Sequence, residues 1–225
     1  MKLLKLLTII FFIFIFNISE IYAEKIVYIN MEKIMKQSKA GKQIIDKISK
    51  SNEKNVSCIY AYIPRINEKL PETFFLRGSW TFTWGTAIWR RSWKNFEKNP
   101  NKLLKKIDSF RLKKKLNFDN TYDWYSMLER FKKKQNNSWS VRWHASNIIK
   151  NTYSLFPGQP LCKNIGMDGT GTNTPASKIW DVDLYKGEIN VKKRKVEESL
   201  IALNVMKNFF ETIEPKYLKK IKILK

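Results

Sequence analysis

The sequence predicts an α+β, helix-rich chain, and three observations predict it. Short β-type runs occur at Ile26–Ile29, Tyr153–Phe156 and Trp180–Tyr185, each bounded by polar or turn-forming residues. Four longer stretches, 101–116, 122–134, 138–150 and 196–213, carry apolar residues at helical spacing. Pro64, Pro71, Pro157-Gly158 and the glycines between 166 and 171 separate these elements.

Taken in order, Met1 to Ala23 reads as a targeting segment. Lys2 and Lys5 open it, Leu6 to Phe16 is an apolar run broken only by Thr8, and Ala23 offers a small residue for cleavage. The run is short for a membrane span and suits a secretory signal. Ile21 is bulky for its position before the cut, so an uncleaved inner-membrane anchor is the alternative to export into the periplasm. Residues 24–55 follow as a short strand, Ile26-Val27-Tyr28-Ile29, and a Lys-rich amphipathic helix capped by Asn30, with Ile34, Ile44, Ile45 and Ile48 on its apolar side. Val56 to Leu70 reads as a boundary region.

Phe74 to Trp93, FFLRGSWTFTWGTAIWRRSW, holds four of the eight tryptophans together with Arg77, Arg90 and Arg91. Gly78 and Gly85 interrupt it, which suits a loop entering a helix better than a continuous buried strand. Two readings fit its composition. One is a core segment whose arginines reach water. The other is a site where rings stack on flat or sugar-like faces and guanidinium groups hold an anion.

Residues 101–116 read as a basic surface helix, Phe118-Asp119-Asn120 as a turn, and 122–134 as a helix whose closing lysines complement its dipole. Ser138 caps the next helix, SWSVRWHASNIIK. Trp139, Arg142, Trp143 and Ser146 share one of its faces, and Val141, His144, Ala145 and Ile148 form the adjacent one. His144 is the only histidine, and a lone histidine is more often structural than a base or ligand. The loop CKNIGMDGTGTNT brings Asp168 among flexible glycines that can approach a phosphate or sugar, without a P-loop or GxGxxG pattern. In Trp180–Tyr185, read as a strand, Asp181 and Asp183 face one side, as solvated acids or as ligands of a divalent cation. The last helix, 196–213, turns Leu200, Leu203, Met206 and Phe209 or Phe210 inward, and the basic tail 214–225 is expected to fray.

The formal net charge is +23; residues 1–55 carry +5 of it and the remainder +18. No RNA-binding or helix-turn-helix signature accompanies the charge, so nucleic acid is not expected, whereas association with a membrane surface stays open. The two cysteines, Cys58 and Cys162, neither require a disulfide nor sit at metal-ligand spacing.

Two resemblances rest on these residues. The run Lys25–Ile34 with Ser38-Lys39-Ala40-Gly41, behind a signal, resembles the opening of the Skp/OmpH family of periplasmic chaperones. It covers about thirty residues, and no sustained heptad pattern follows to build a coiled-coil arm. Residues of about 57–190 resemble the C-terminal portion of bacterial GT-A type, family 2-like sugar transferases. The matching stretches are Phe75–Gly78, Trp84–Trp93, Phe118–Tyr122, Met127-Leu128, Ser138–Ser146, Leu155–Gly158 and Asn164–Thr172.

That second resemblance implies an incomplete GT-A, Rossmann-like domain over 56–213. It implies transfer of a sugar from a nucleotide-sugar to a glycan acceptor hydroxyl, with a divalent metal (Mn or Mg) in the full-length family. Arg77, Trp84, Trp89, Arg142, Trp143 and Asp168 are the substrate-binding residues it suggests, and no catalytic carboxylate is placed. The family's nucleotide-binding strands and acidic metal motif precede the matched region and have no counterpart here, and Asn173 stands where a histidine is usual. Impaired transfer, or an exported chaperone-like protein without catalysis, are the two expectations that follow.

Overall fold

The computed structural model describes residues 54–80, 82–168, 177–187 and 195–223, with side chains to 213. All of them belong to one compact unit, Met31–Lys225. The expected signal segment and the strand–helix of 24–55 lie outside the described residues, apart from a turn at Lys54-Asn55.

Four strands form one mixed sheet: β1 (Val56–Tyr60), β2 (Thr73–Arg77), β3 (Thr86–Ile88) and β4 (Tyr153–Pro157), in the order β2-β4-β1-β3. β1 and β4 run parallel, while β2–β4 and β1–β3 are antiparallel. Among the described residues six helices accompany the sheet: α1 (Arg90–Trp93), α2 (Pro100–Ser109), α3 (Lys113–Leu116), α4 (Trp124–Lys132), α5 (Trp139–Ile149) and α6 (Leu200–Ile223). The protein is thus α+β and helix-rich. No helix among the described residues is long and apolar enough to cross a membrane.

The sheet has two unlike faces, as strand alternation requires. On one, Cys58, Tyr60, Phe74, Leu76 and Phe156 join the main core with α2–α6. There Trp80 lies 4.4 Å from Phe156 and 5.8 Å from Phe210, ring centre to ring centre, and Tyr60 stacks on Phe156 at 4.5 Å. Trp80 is fully buried, so its truncation to alanine would cost about 3–5 kcal/mol. On the other face Val56, Ile59, Phe75 and Leu155 make a smaller cluster, joined by Trp89, Tyr153 and Val196.

Several expectations are corrected here. Val56–Leu70, read as a boundary, begins with the fully buried strand β1 at the centre of the sheet. Phe74–Trp93, read as loop and helix, contains buried strand β2, strand β3 and only one turn of helix, α1. The single helix of 101–116 is two, α2 and α3, separated at Phe110-Arg111. The Trp180–Tyr185 strand is absent: Lys178–Trp180 is a 3-10 turn and residues 181–185 pair with no strand. In α6, Ala202, Met206, Phe210 and Ile213 face inward, whereas Leu200 is 71% exposed. The helix also continues through Ile223 where fraying was expected.

The helix breaks share one cause. α2, α3, α4 and α5 each end on a residue at positive φ: Arg111 (53°), Phe118 (52°), Lys134 (58°) and Asn151 (54°). Each is followed by an amide that reaches back five residues: Leu112 to Ile107 (2.8 Å), Asp119 to Lys114 (2.9 Å), Gln135 to Arg130 (2.9 Å) and Thr152 to Asn147 (3.1 Å). This is the Schellman ending, normally built on glycine. None of these four uses one.

Candidate functional site

The candidate site is built on α5. Its N-terminus is held by Ser138, whose Oγ accepts from the Val141 amide at 3.4 Å, and by Asn136, which accepts from the Ser138 amide at 3.1 Å. Every residue from Ser140 to Ile148 except Arg142 is buried, so the helix meets neighbours on two sides.

On the inner side, β2 ends at Gly78 (φ 77°), and a Cβ there would lie 2.7 Å from Ile148 Cδ1 and 3.1 Å from His144 Cε1. Only glycine permits this approach. The Ser79 amide donates to His144 Nδ1 at 3.2 Å, and Nε2 donates to the Leu116 carbonyl at 3.0 Å. Burial lowers the His144 pKa to about 4, so the ring is neutral near pH 7. Both nitrogens are engaged and the side chain is fully buried, which makes it a structural bridge between α3, α5 and the β2 end.

The outer side is aromatic. Trp143 is buried, with Trp93 at 5.4 Å and Phe96 at 6.3 Å. Trp93 stacks on Phe96 at 4.6 Å and meets Trp139 edge-on at 5.8 Å. Trp93 and Trp139 remain 43% and 38% exposed, so this cluster opens to solvent through two indoles. Arg142 does not lie between the two tryptophans of its own helix. Its guanidinium sits over Phe131 (4.1 Å) and Phe96 (5.4 Å), and Nη1 donates to the Lys98 carbonyl at 3.1 Å. Burial lowers its pKa from the ordinary value. Its Nε is buried without a partner, and among the described residues it pairs with no carboxylate.

Arg77 is elsewhere and satisfied. At the end of β2 it donates to Asn151 Oδ1 and to the Tyr153 hydroxyl (2.7 Å), lies 4.7 Å over the Tyr153 ring, and has Glu198 Oε2 at 3.9 Å. Glu198 also accepts from the Arg77 amide at 3.0 Å. Arg77 and Arg142 share no partner among the described residues.

The other predicted residues are also dispersed. Trp84 packs on the main core, edge-on to Tyr62 at 4.7 Å. Trp89 packs on the small cluster of the opposite face, with Arg91 5.0 Å over its ring. Asp168 is exposed at the end of the 3-10 turn Ile165–Asp168, just after buried Met167. The glycine-rich residues 169–176 lie outside the described residues.

Asp181 and Asp183 each lie beside a separate cation. Lys163 lies 2.6 Å from Asp181 and Arg65 2.7 Å from Asp183. The hydrogen bond from Lys163 lowers the Asp181 pKa. Among the described residues no group of His, Cys, Asp and Glu could hold a metal ion. Cys58 and Cys162 are both free thiols, and burial raises their pKa values, to about 11 for Cys162.

Of the predicted site residues, only Arg142 and Trp143 meet in one cluster. Trp93, Phe96, Phe131 and Trp139 complete it and were not among those predicted. Trp93 and Trp139 were legible as aromatics beside arginines. Phe96 and Phe131 carried no signal, because they reach Arg142 only through tertiary packing. Compared with protein families, curated proteins and solved structures, the chain matches none.

Proposed function

We propose that residues 56–213 are the acceptor-side portion of a GT-A type sugar transferase, and that Trp93, Trp139 and Arg142 bind a sugar carrying, or lying beside, an anionic group. The observation that carries this reading is the outer side of α5: two half-exposed indoles meeting edge-on, next to a guanidinium whose Nε has no hydrogen-bond partner among the described residues. The apolar C–H face of a sugar ring packs on an indole face. A guanidinium left short of acceptors takes a phosphate or carboxylate through its planar fork.

The sequence resemblance supplies the reaction, transfer from a nucleotide-sugar to an acceptor hydroxyl. Deprotonating that hydroxyl needs a carboxylate within hydrogen-bond reach; Asp168 is assigned to substrate contact by resemblance only. The divalent metal of the full-length family is expected here by resemblance alone; of the acids in 180–185, Asp181 lies against Lys163 and Asp183 against Arg65.

Tryptophan fluorescence tests the proposal. Titration with UDP-glucose, UDP and a glucuronate-containing disaccharide should give saturable quenching by at least one of them. Trp139→Ala and Arg142→Ala should each weaken that ligand about tenfold, equivalent to ~1.4 kcal/mol. Saturable binding that neither substitution changes would remove this side of α5 as the site, and no binding of any of the three would overturn the sugar-transferase reading.

A further inference from the structure

The turn between α2 and α3 places an aromatic ring where a core would not have it. Phe110 is the C-cap of α2 and is 59% exposed. The cause is the Schellman ending: Arg111 adopts φ 53°, its amide donates to the Asp108 carbonyl (3.0 Å), and the Leu112 amide reaches the Ile107 carbonyl (2.8 Å). That geometry folds Leu112 back onto the core and leaves Phe110 outside. The buried side of α2 is already supplied by Leu103, Leu104 and Ile107.

Cations surround this ring. Lys102, Lys106 and Phe110 follow one another at four-residue spacing and so lie along one stripe of the helix surface. Seven Lys and Arg fall between 102 and 115, all exposed, against one carboxylate, Asp108. Asp108 is engaged by the Tyr125 hydroxyl at 2.9 Å, and none of the seven cations forms an ion pair among the described residues. Lys113 lies 4.1 Å over the Tyr125 ring, which fixes the cationic start of α3 beside the turn.

We propose that this turn docks the protein on an anionic bilayer, with Phe110 entering the interface and the flanking cations on lipid headgroups. Each cation near an anionic leaflet adds about 1 kcal/mol, or roughly fivefold in partitioning, and an aromatic ring at the headgroup level adds an apolar anchor. A nucleic acid is the poorer fit. Single strands are held by several aromatic platforms along a groove, whereas Phe110 is one ring at a protruding turn. The inference does not depend on the sugar-transferase reading.

Vesicle flotation of the full chain tests it, comparing phosphatidylcholine alone with phosphatidylcholine containing phosphatidylglycerol at about 30 mol%. The N-terminal apolar segment is common to all variants, so the readout is the dependence on phosphatidylglycerol. That lipid should raise partitioning of the parent at least tenfold, and salt at about 0.5 M should remove the increase. Phe110→Ser should lower partitioning on the anionic vesicles about tenfold, and the triple change of Lys113, Lys114 and Lys115 to Ala about a hundredfold. Thermal melts identical to the parent establish that both variants are folded. Partitioning insensitive to phosphatidylglycerol overturns the proposal. So does Phe110→Ser floating like the parent, or a tight complex with an RNA oligonucleotide in the absence of lipid-dependent flotation.

Discussion

The inner and outer sides of α5 leave their polar side chains in opposite states. On the inner side, His144 bridges the Ser79 amide and the Leu116 carbonyl, and Asn147 Nδ2 donates to the Trp143 carbonyl at 2.8 Å. On the outer side, Arg142 keeps one hydrogen bond to a carbonyl, leaves Nε without a partner, and sits among rings of which two are open to water. A buried polar group that is fully matched stabilises and specifies the fold, while one left unmatched costs free energy unless something outside the protein completes it. Arg77 teaches the same lesson from the sheet: flanked by aromatics in the sequence just as Arg142 is, it is satisfied by Asn151, Tyr153 and Glu198. Proximity to tryptophan in the sequence therefore does not tell which arginine finds its partners within the protein.

The comparison can be broken most forcefully at Gly78. Gly78→Ala adds a Cβ 2.7 Å from Ile148 Cδ1 at a φ of 77°. It should destabilise the fold by about 2–4 kcal/mol, combining overpacking with a backbone conformation that disfavours alanine. Urea denaturation measures this, and a loss under about 1 kcal/mol would show that the inner side of α5 yields easily.

Protonation of His144 comes next. Its folded pKa is near 4, below the 6.5 of the ordinary group, so between these values the unfolded chain binds the proton more readily. The stability that depends on neutral His144 is complete above pH 6.5 and declines as the pH falls toward 4. At pH 4.5 the expected loss is about 2–3 kcal/mol relative to pH 7.5. Because His144 is the only histidine, a single imidazole NMR titration reads it, and a midpoint above pH 6 would mean that the ring reaches solvent.

The two arginines sharpen the comparison directly. Arg77→Ala should cost about 1.5–3 kcal/mol, since it removes charge-assisted hydrogen bonds at a partly buried corner. Arg142→Ala should cost about 1 kcal/mol or less, mostly lost packing over Phe131 and Phe96. A thermal melt of each variant decides, and a larger loss for Arg142 than for Arg77 would make the outer side a core and not a site.

The smallest effect belongs to Trp139. Its ring is 38% exposed, and Trp139→Ala should change stability by about 1 kcal/mol or less while weakening the sugar ligand. Unaltered ligand affinity together with a loss above about 3 kcal/mol would assign the indole to packing.

Short-range chemistry was readable along the chain. Ser138 was legible as a helix start because a cap needs only its own side chain and the next three amides, and it accepts such a bond here; the start of α4 at Asp123 was not, the helix being read from Tyr122. The buried side of α5 followed from the spacing of Val141, Ala145 and Ile148, and Tyr153–Phe156 from alternation and the Pro-Gly behind it. The features that escaped such a reading depend on partners distant in the chain. β1 looked like a linker because nothing near Val56–Tyr60 announces that Tyr153–Pro157 and Thr86–Ile88 will flank it. The break at Phe110-Arg111 carried no glycine, since the contact of Leu112 with the core, not backbone freedom, stabilises the positive φ of Arg111. The sorting of Arg77 from Arg142 likewise waited on Glu198 and Asn151 for one, and on Phe96 and Phe131 for the other. Local propensity places helix ends and apolar faces; which polar groups find partners is settled only when the chain closes on itself.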